Sequence, residues 1–175
     1  MAVLGGAGGE TVETADLCNE AGLEVAPIPQ DVREALREKL PHTWDWVGNP
    51  IDASILTWGR FEAADVLQMM VANAAYDLVI ANVRGLEWIA AEEEGGGQVF
   101  RGAVELLKRL GKEQGKAAML VMGEPEAREE WRRKALRDAR RELAEAGVAI
   151  YPDMERAARA MGRYVRYLAE RREAG

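Results

Sequence analysis

The sequence has one cysteine in 175 residues, Cys18, so no disulfide can close within the chain. Cys18 falls between Val12, Ala15 and Ala21 in a helix-compatible stretch, which suits a small buried side chain better than a nucleophile. Histidine is equally scarce. His42 stands alone between Pro41 and Thr43 and reads as a surface or loop-packing residue. Basic charge does not predominate: 23 Lys and Arg face 30 Asp and Glu, a formal net charge of -7, which argues against a broad nucleic-acid surface. No apolar run reaches the roughly 18 residues that a membrane span needs. Met1 leads directly into Ala2-Val3-Leu4 and glycine, with no signal-peptide pattern. The first strand looks clipped, so the expectation is a chain that begins inside a longer protein or is an excised domain. Few thiols and no leader fit a reducing, cytoplasmic setting.

Glycine, by contrast, is concentrated. Val3-Leu4-Gly5-Gly6-Ala7-Gly8-Gly9-Glu10-Thr11 is a short apolar run that ends in a glycine-rich turn and opens into a helix-compatible segment, Val12 to Ala21. Glycines admit positive φ and let a ligand approach the main chain. A helix start offers unpaired N–H groups and a partial positive charge. Together they make a place for phosphate or carboxylate. The candidate anion-binding residues are therefore Gly6, Ala7, Gly8, Gly9, Glu10 and Thr11. No Gly-Lys-Ser or Gly-Lys-Thr follows, so this is not a P-loop. Thr11 stands where a dinucleotide fingerprint needs its third small residue. A tight strand-to-helix turn that binds nothing is the plain alternative, but one or two glycines would suffice for it.

The length suits one domain over residues 1–175. Its apolar runs at Ala2–Leu4, Leu23–Ala26, Asp77–Val83, Ala117–Met122 and Val148–Tyr151 read as strands. Helical periodicity lies between them: Gln30 to Leu40, Phe61 to Ala74, Gln98 to Gln114, Glu126 to Glu145, and a last helix after Pro152-Asp153. His42 to Trp58 reads as a structured loop. The Met154, Ala157, Ala158, Met161, Val165, Leu168 stripe reads as core. Such alternation predicts an α/β fold, a parallel sheet with helices on both faces. Five strands suggest a flavodoxin-like three-layer sandwich in the order 2-1-3-4-5, with its switch point at the carboxyl ends of the first and third strands. The glycine turn falls there, as does the Arg84–Gly97 connection. The latter's Glu92-Glu93-Glu94 run gives no reason to expect a metal site, because neighbouring carboxylates rarely converge on one ion.

Several short motifs occur in a telling order: Gly5-Gly6-Ala7-Gly8-Gly9, Ala15-Asp16, Ala21-Gly22-Leu23-Glu24, Val47-Gly48-Asn49-Pro50-Ile51-Asp52, Tyr76-Asp77, Gly147-Val148-Ala149-Ile150-Tyr151 and Glu155-Arg156-Ala157-Ala158-Arg159-Ala160. In this order the chain resembles the flavodoxin-like CoA-ligase domain of NDP-forming acyl-CoA synthetases, the succinyl-CoA synthetase superfamily, and in particular its β-subunit carboxy-terminal domain. The resemblance covers nearly the whole chain. It implies a module of an acid–CoA ligase whose glycine-rich helix start helps to bind the phosphoryl group of a phosphohistidine carried by another domain. It implies as partners a CoA-binding, phosphohistidine-bearing domain and an ATP-grasp domain. This domain alone would hold no cofactor; phosphate, CoA and nucleotide would belong to the full assembly. His42 lies outside the family's phosphohistidine loop, so no catalytic residue is expected here and the isolated chain should be inactive. Asn49 and Asp52 are candidate partner-domain contacts, although Asn-Pro and Asp are also ordinary turn formers. A non-catalytic interaction or regulatory module that keeps the fold without phosphate chemistry is the alternative. A flavodoxin-like FMN binder fits less well, because the first loop lacks a Ser/Thr-rich phosphate clamp.

Overall fold

A computed structural model describes residues 1–6, 8–52, 63–82, 105–110, 116–122 and 130–173, with the side chains of Trp131, Arg132 and Ala135 excepted. Among the described residues four strands form one sheet: β1 (Ala2–Leu4), β2 (Leu78–Asn82), β3 (Ala117–Val121) and β4 (Ala149–Tyr151). They are all parallel and lie in chain order, β1-β2-β3-β4. The register pairs Leu4 with Ala81, Ala81 with Leu120, and Leu120 with Ile150. The helices are α1 (Gly9–Glu20), α2 (Gln30–Lys39), α3 (Ala63–Ala72), α4 (Glu130–Glu145) and α5 (Met154–Glu173), with a helical stretch at 105–110 and one 3-10 turn, Trp44–Trp46.

Side-chain alternation along the strands divides the core in two. Ala2, Leu4, Val79, Ala81 and Leu120 face one side, where they meet Val32 and Leu36 of α2, Val66, Leu67 and Met70 of α3, Leu106, Leu107 and Leu110, and Leu136 and Leu143 of α4. Met1, Val3, Ile80, Met119 and Val121 face the other side, against Cys18 of α1 and Met154, Ala157, Ala158 and Met161 of α5. The result is a three-layer α/β/α arrangement compatible with a flavodoxin-like fold. The expected burial of Cys18 and of the first half of the α5 stripe is found, while Val165 and Leu168 are only half-buried.

Two expectations are corrected. The sheet among the described residues has four strands, and its order is not 2-1-3-4-5. The cause is the Leu23–Ala26 segment, which forms no ladder. Its side chains do alternate: Leu23 and Val25 join the α1/α5 core, and Ala26 packs on the opposite one. Its carbonyls, however, and that of Pro27 just after it, are claimed by other groups. Met1 N donates to Glu24 O at 2.8 Å, Asn49 Nδ2 to Ala26 O at 2.7 Å, and the Tyr76 hydroxyl to Pro27 O at 2.8 Å. Pro27 and Pro29 have no N–H to give to a ladder. The segment thus lies beside β1 as a strap held by the terminal ammonium and two side chains.

The far edge of β1 is completed in the same manner. Asn49 Oδ1 accepts from Val3 N at 2.9 Å, and its Nδ2 donates to Met1 O at 2.8 Å. Ile51 then makes one parallel bridge to Leu4, with Ile51 N donating to Val3 O and Gly5 N to Ile51 O. The expected strand at Val148–Tyr151 is found one residue shorter. The helix expected over Gln98 to Gln114 is described only at 105–110, and the Arg84–Gly97 connection lies outside the described residues.

Candidate functional site: the glycine turn before α1

The site is built from the chain as it leaves β1. Gly5 N is fixed on Ile51 O at 2.9 Å, and a β-carbon at Gly5 would overlap the Thr11 methyl and press on Ile51 O and Pro50. Gly6 is buried beneath the Glu10 side chain, which would collide with any β-carbon there. Gly8 turns the chain with φ 54° and ψ -118°, a conformation open in practice to glycine alone. Packing explains the first two glycines and backbone conformation the third. Gly9 is different: open space surrounds it and its φ is ordinary, so neither packing nor conformation demands a glycine. Ala7 lies outside the described residues.

Gly8 caps α1 without any side-chain hydrogen bond, so the helix start is not plugged by the usual Ser, Thr or Asp. The Gly8 carbonyl receives both the Thr11 N–H, at 3.1 Å, and the Thr11 hydroxyl. Thr11 therefore spends its hydroxyl inside the turn. Gly8 N donates outward, and its acceptor is Asp52 Oδ2 at 3.1 Å. With Glu10 folded over Gly6, two carboxylates of the chain's own attend the helix start, where the dipole favours negative charge.

The residues singled out in the sequence thus come together around one turn: Gly6, Gly8, Gly9, Glu10, Thr11 and Asp52. Asn49 does not join them. Its amide is committed to Val3, Met1 and Ala26, and it acts as a peptide-like filler for the β1 edge. Nothing local in Val-Gly-Asn-Pro-Ile-Asp marks that role, because it depends on β1 having an edge that no strand covers among the described residues. His42 sits exposed in the turn after α2.

At the same carboxyl edge of the sheet, Asn82 ends β2 as a buried polar residue, and Met122 follows β3. After β4, Asp153 Oδ1 accepts from Arg156 N at 2.8 Å and so caps the start of α5. The α5 start is closed by its own Asp, whereas the α1 start is closed only by a distant one. Among the described residues, no cluster of three or more His, Cys, Asp or Glu could hold a metal ion. Among them also, no helix is long and apolar enough to cross a membrane. No family model matches the chain, and no curated protein is significantly similar to it.

Proposed function

We propose that the chain is a module of an NDP-forming acyl-CoA synthetase, and that the glycine turn before α1 receives a phosphoryl group carried on a partner domain. One observation carries the reading: Gly8 N, at an otherwise uncapped helix start, already holds a carboxylate oxygen, that of Asp52. A donor that binds one oxyanion in this place has the direction and polarity to bind another. The open space at Gly9 supports it, since a glycine that packing does not require leaves room for an incoming group. The chemistry asked of the chain is modest. Main-chain N–H groups of the turn would orient phosphoryl oxygens, and Asp52 would swing aside. Closure against a partner domain would exclude water and strengthen each hydrogen bond. The phosphohistidine, CoA and nucleotide belong to the partner domains in this reading.

A second reading has its own support. Asp52 and Glu10 together satisfy the helix start from within and set two negative charges where phosphate would have to approach. On that reading the turn is purely architectural, and the chain is an interaction or regulatory module.

Titration with inorganic phosphate, followed by backbone amide shifts, separates the two. The first reading expects shifts confined to Gly6–Thr11 with an affinity of about millimolar, and roughly tenfold tighter binding in Asp52→Asn. Shifts that are absent in both wild type and Asp52→Asn establish the second. The decisive activity measurement supplies CoA-binding and ATP-grasp domains in trans and compares wild type with Gly8→Val. The first reading expects activity to be lost in the variant.

A further inference from the structure

The C-terminal half of α5 turns most of its side chains to solvent, with Val165 still packed against the α1/α5 core. Its first half, Met154 to Gly162, is pressed against the sheet and α1, and Gly162 meets Ala21 at the end of α1. From Arg163 onward no residue of the helix is fully buried. This stretch, 163–173, is about 16 Å long. It carries four arginines against two glutamates. It also carries two exposed tyrosines, Tyr164 (46% exposed) and Tyr167 (52%). Helical spacing sets Tyr164, Tyr167 and Arg171 at i, i+3 and i+7 on one stripe, with Arg163 one turn before Tyr167. The stripe is organised: Arg171 stacks over the Tyr167 ring at 5.8 Å and donates to its hydroxyl at 3.4 Å.

The complementary surface is on the same chain. Helix α1 holds four acidic residues and no basic ones. Glu13, Asp16 and Glu20 repeat the i, i+3, i+7 spacing on its outward face, and all three are exposed. Val12 lies beside them, 64% exposed, an isolated apolar side chain on an acidic face. Between α1 and α5 opens a groove of about 400 Å³ lined by Leu17, Glu20, Ala21, Glu155 and Arg159. Leu17 and Ala21 give it an apolar part for a tyrosine ring, and Glu20 gives it a carboxylate for an arginine. Arg159 there is already engaged with Glu155 at 3.1 Å. The acidic helix, 12 residues long, spans about 18 Å, close to the reach of the basic tail.

We infer that a second copy of this chain covers these surfaces: the Arg/Tyr tail of each protomer lies along the acidic α1 face of the other, in a two-fold dimer. A two-fold pairing uses both surfaces of both copies and leaves neither stripe unmatched. Two helix-sized contacts make a small interface, rich in charge and so dependent on ionic strength.

Sedimentation velocity on the full chain, over about 1–100 μM as suits an interface of this size, provides the test. The expected result is a reversible dimer at about 0.05 M salt whose dissociation constant rises at least about tenfold at about 0.5 M. Arg163→Glu with Arg171→Glu gives a monomer, as does Glu13→Lys with Asp16→Lys. All four positions are exposed, and circular dichroism checks that each variant remains folded. Mixing the two monomeric variants restores a dimer, because the reversed tail then faces the reversed helix and the two native surfaces face each other. Three results overturn the proposal: a wild-type monomer throughout the range, a dimer that survives either reversal, or folded variants that stay monomeric when mixed.

Discussion

Asn49 makes the hydrogen bond to Val3 that a neighbouring strand would otherwise make, its Oδ1 accepting from Val3 N at 2.9 Å across 46 positions of sequence. Its Nδ2 serves Met1 O and Ala26 O at the same time, so one side-chain amide ties β1 to the strap beside it. Asn49→Ala removes all three bonds and leaves part-buried main-chain groups without partners. We expect a loss of about 2–4 kcal/mol in urea unfolding. Asn49→Asp keeps the acceptor for Val3 N but turns a carboxylate toward two carbonyls, so it should not rescue stability. Full stability in Asn49→Asp would show that the contact with Val3 alone matters.

Gly162 and Gly9 should respond in opposite directions to alanine. A β-carbon at Gly162 overlaps the Ala21 carbonyl oxygen, a main-chain atom that cannot rotate away. The expected cost is about 1–3 kcal/mol, well beyond the gain in helix propensity. At Gly9 nothing stands in the way, and Gly9→Ala should be neutral or stabilising by up to about 1 kcal/mol. Thermal unfolding of the two variants side by side checks the contrast.

Alkaline pH should destabilise the fold through two buried groups. Burial pushes the Cys18 thiol up from 9.0 to about 11, and the Tyr76 hydroxyl up from 10.0 to about 12. Each is held protonated more firmly in the folded chain than in the unfolded one. Their contribution is therefore fully present below the unfolded values and is lost as pH rises, between about 9 and 11 for Cys18 and between about 10 and 12 for Tyr76. Each shift corresponds to at most about 2–3 kcal/mol. Chemical unfolding as a function of pH should show a falling limb, flattened over its lower part in Cys18→Ala and over its upper part in Tyr76→Phe. Cys18 should also resist thiol reagents at pH 8 until the chain unfolds. Tyr76→Phe costs about 1 kcal/mol at neutral pH as well, through the lost bond to Pro27 O.

Lys116 closes the end of α3 from a distance. Its ammonium donates to Val71 O and, at 2.9 Å, to Asn73 O, which are carbonyls at or just beyond the helix end. Positive charge at a helix C-terminus complements the dipole. Lys116→Met keeps the aliphatic stem and removes the donors. It should cost about 1–2 kcal/mol and raise amide exchange in the last turn of α3.

Much of the fold was legible in the sequence because the sheet is buried on both faces. Leu78–Ala81 and Ala117–Val121 are continuous apolar runs, and the helices between strands keep a clear apolar period. The Leu23–Ala26 segment departs from its strand-like pattern for a physical reason. Its side chains alternate as a strand's do, but the fate of its carbonyls is decided by Met1, Asn49 and Tyr76, from distant parts of the chain. Hydrophobic pattern reports side-chain direction and says nothing of hydrogen-bond partners. The glycine turn was legible as a turn, and Gly8 meets the expectation of positive φ. The approach of Asp52 to Gly8 was not, since it depends on the bridge that brings Ile51 beside Leu4.

The division of the core into two faces has an energetic consequence for the chain as a material to be altered. Val3 and Leu4 are sequence neighbours, yet Val3 packs with Cys18 and Met161 while Leu4 packs with the α2 and α3 layer. Truncations on opposite faces share no cavity and few neighbours, so Met161→Ala and Leu36→Ala should sum to within about 0.5 kcal/mol in the double variant. Two truncations within one layer, such as Leu36→Ala with Leu67→Ala, should depart from additivity. Each helical layer can therefore drift, or be redesigned, with the opposite one held constant.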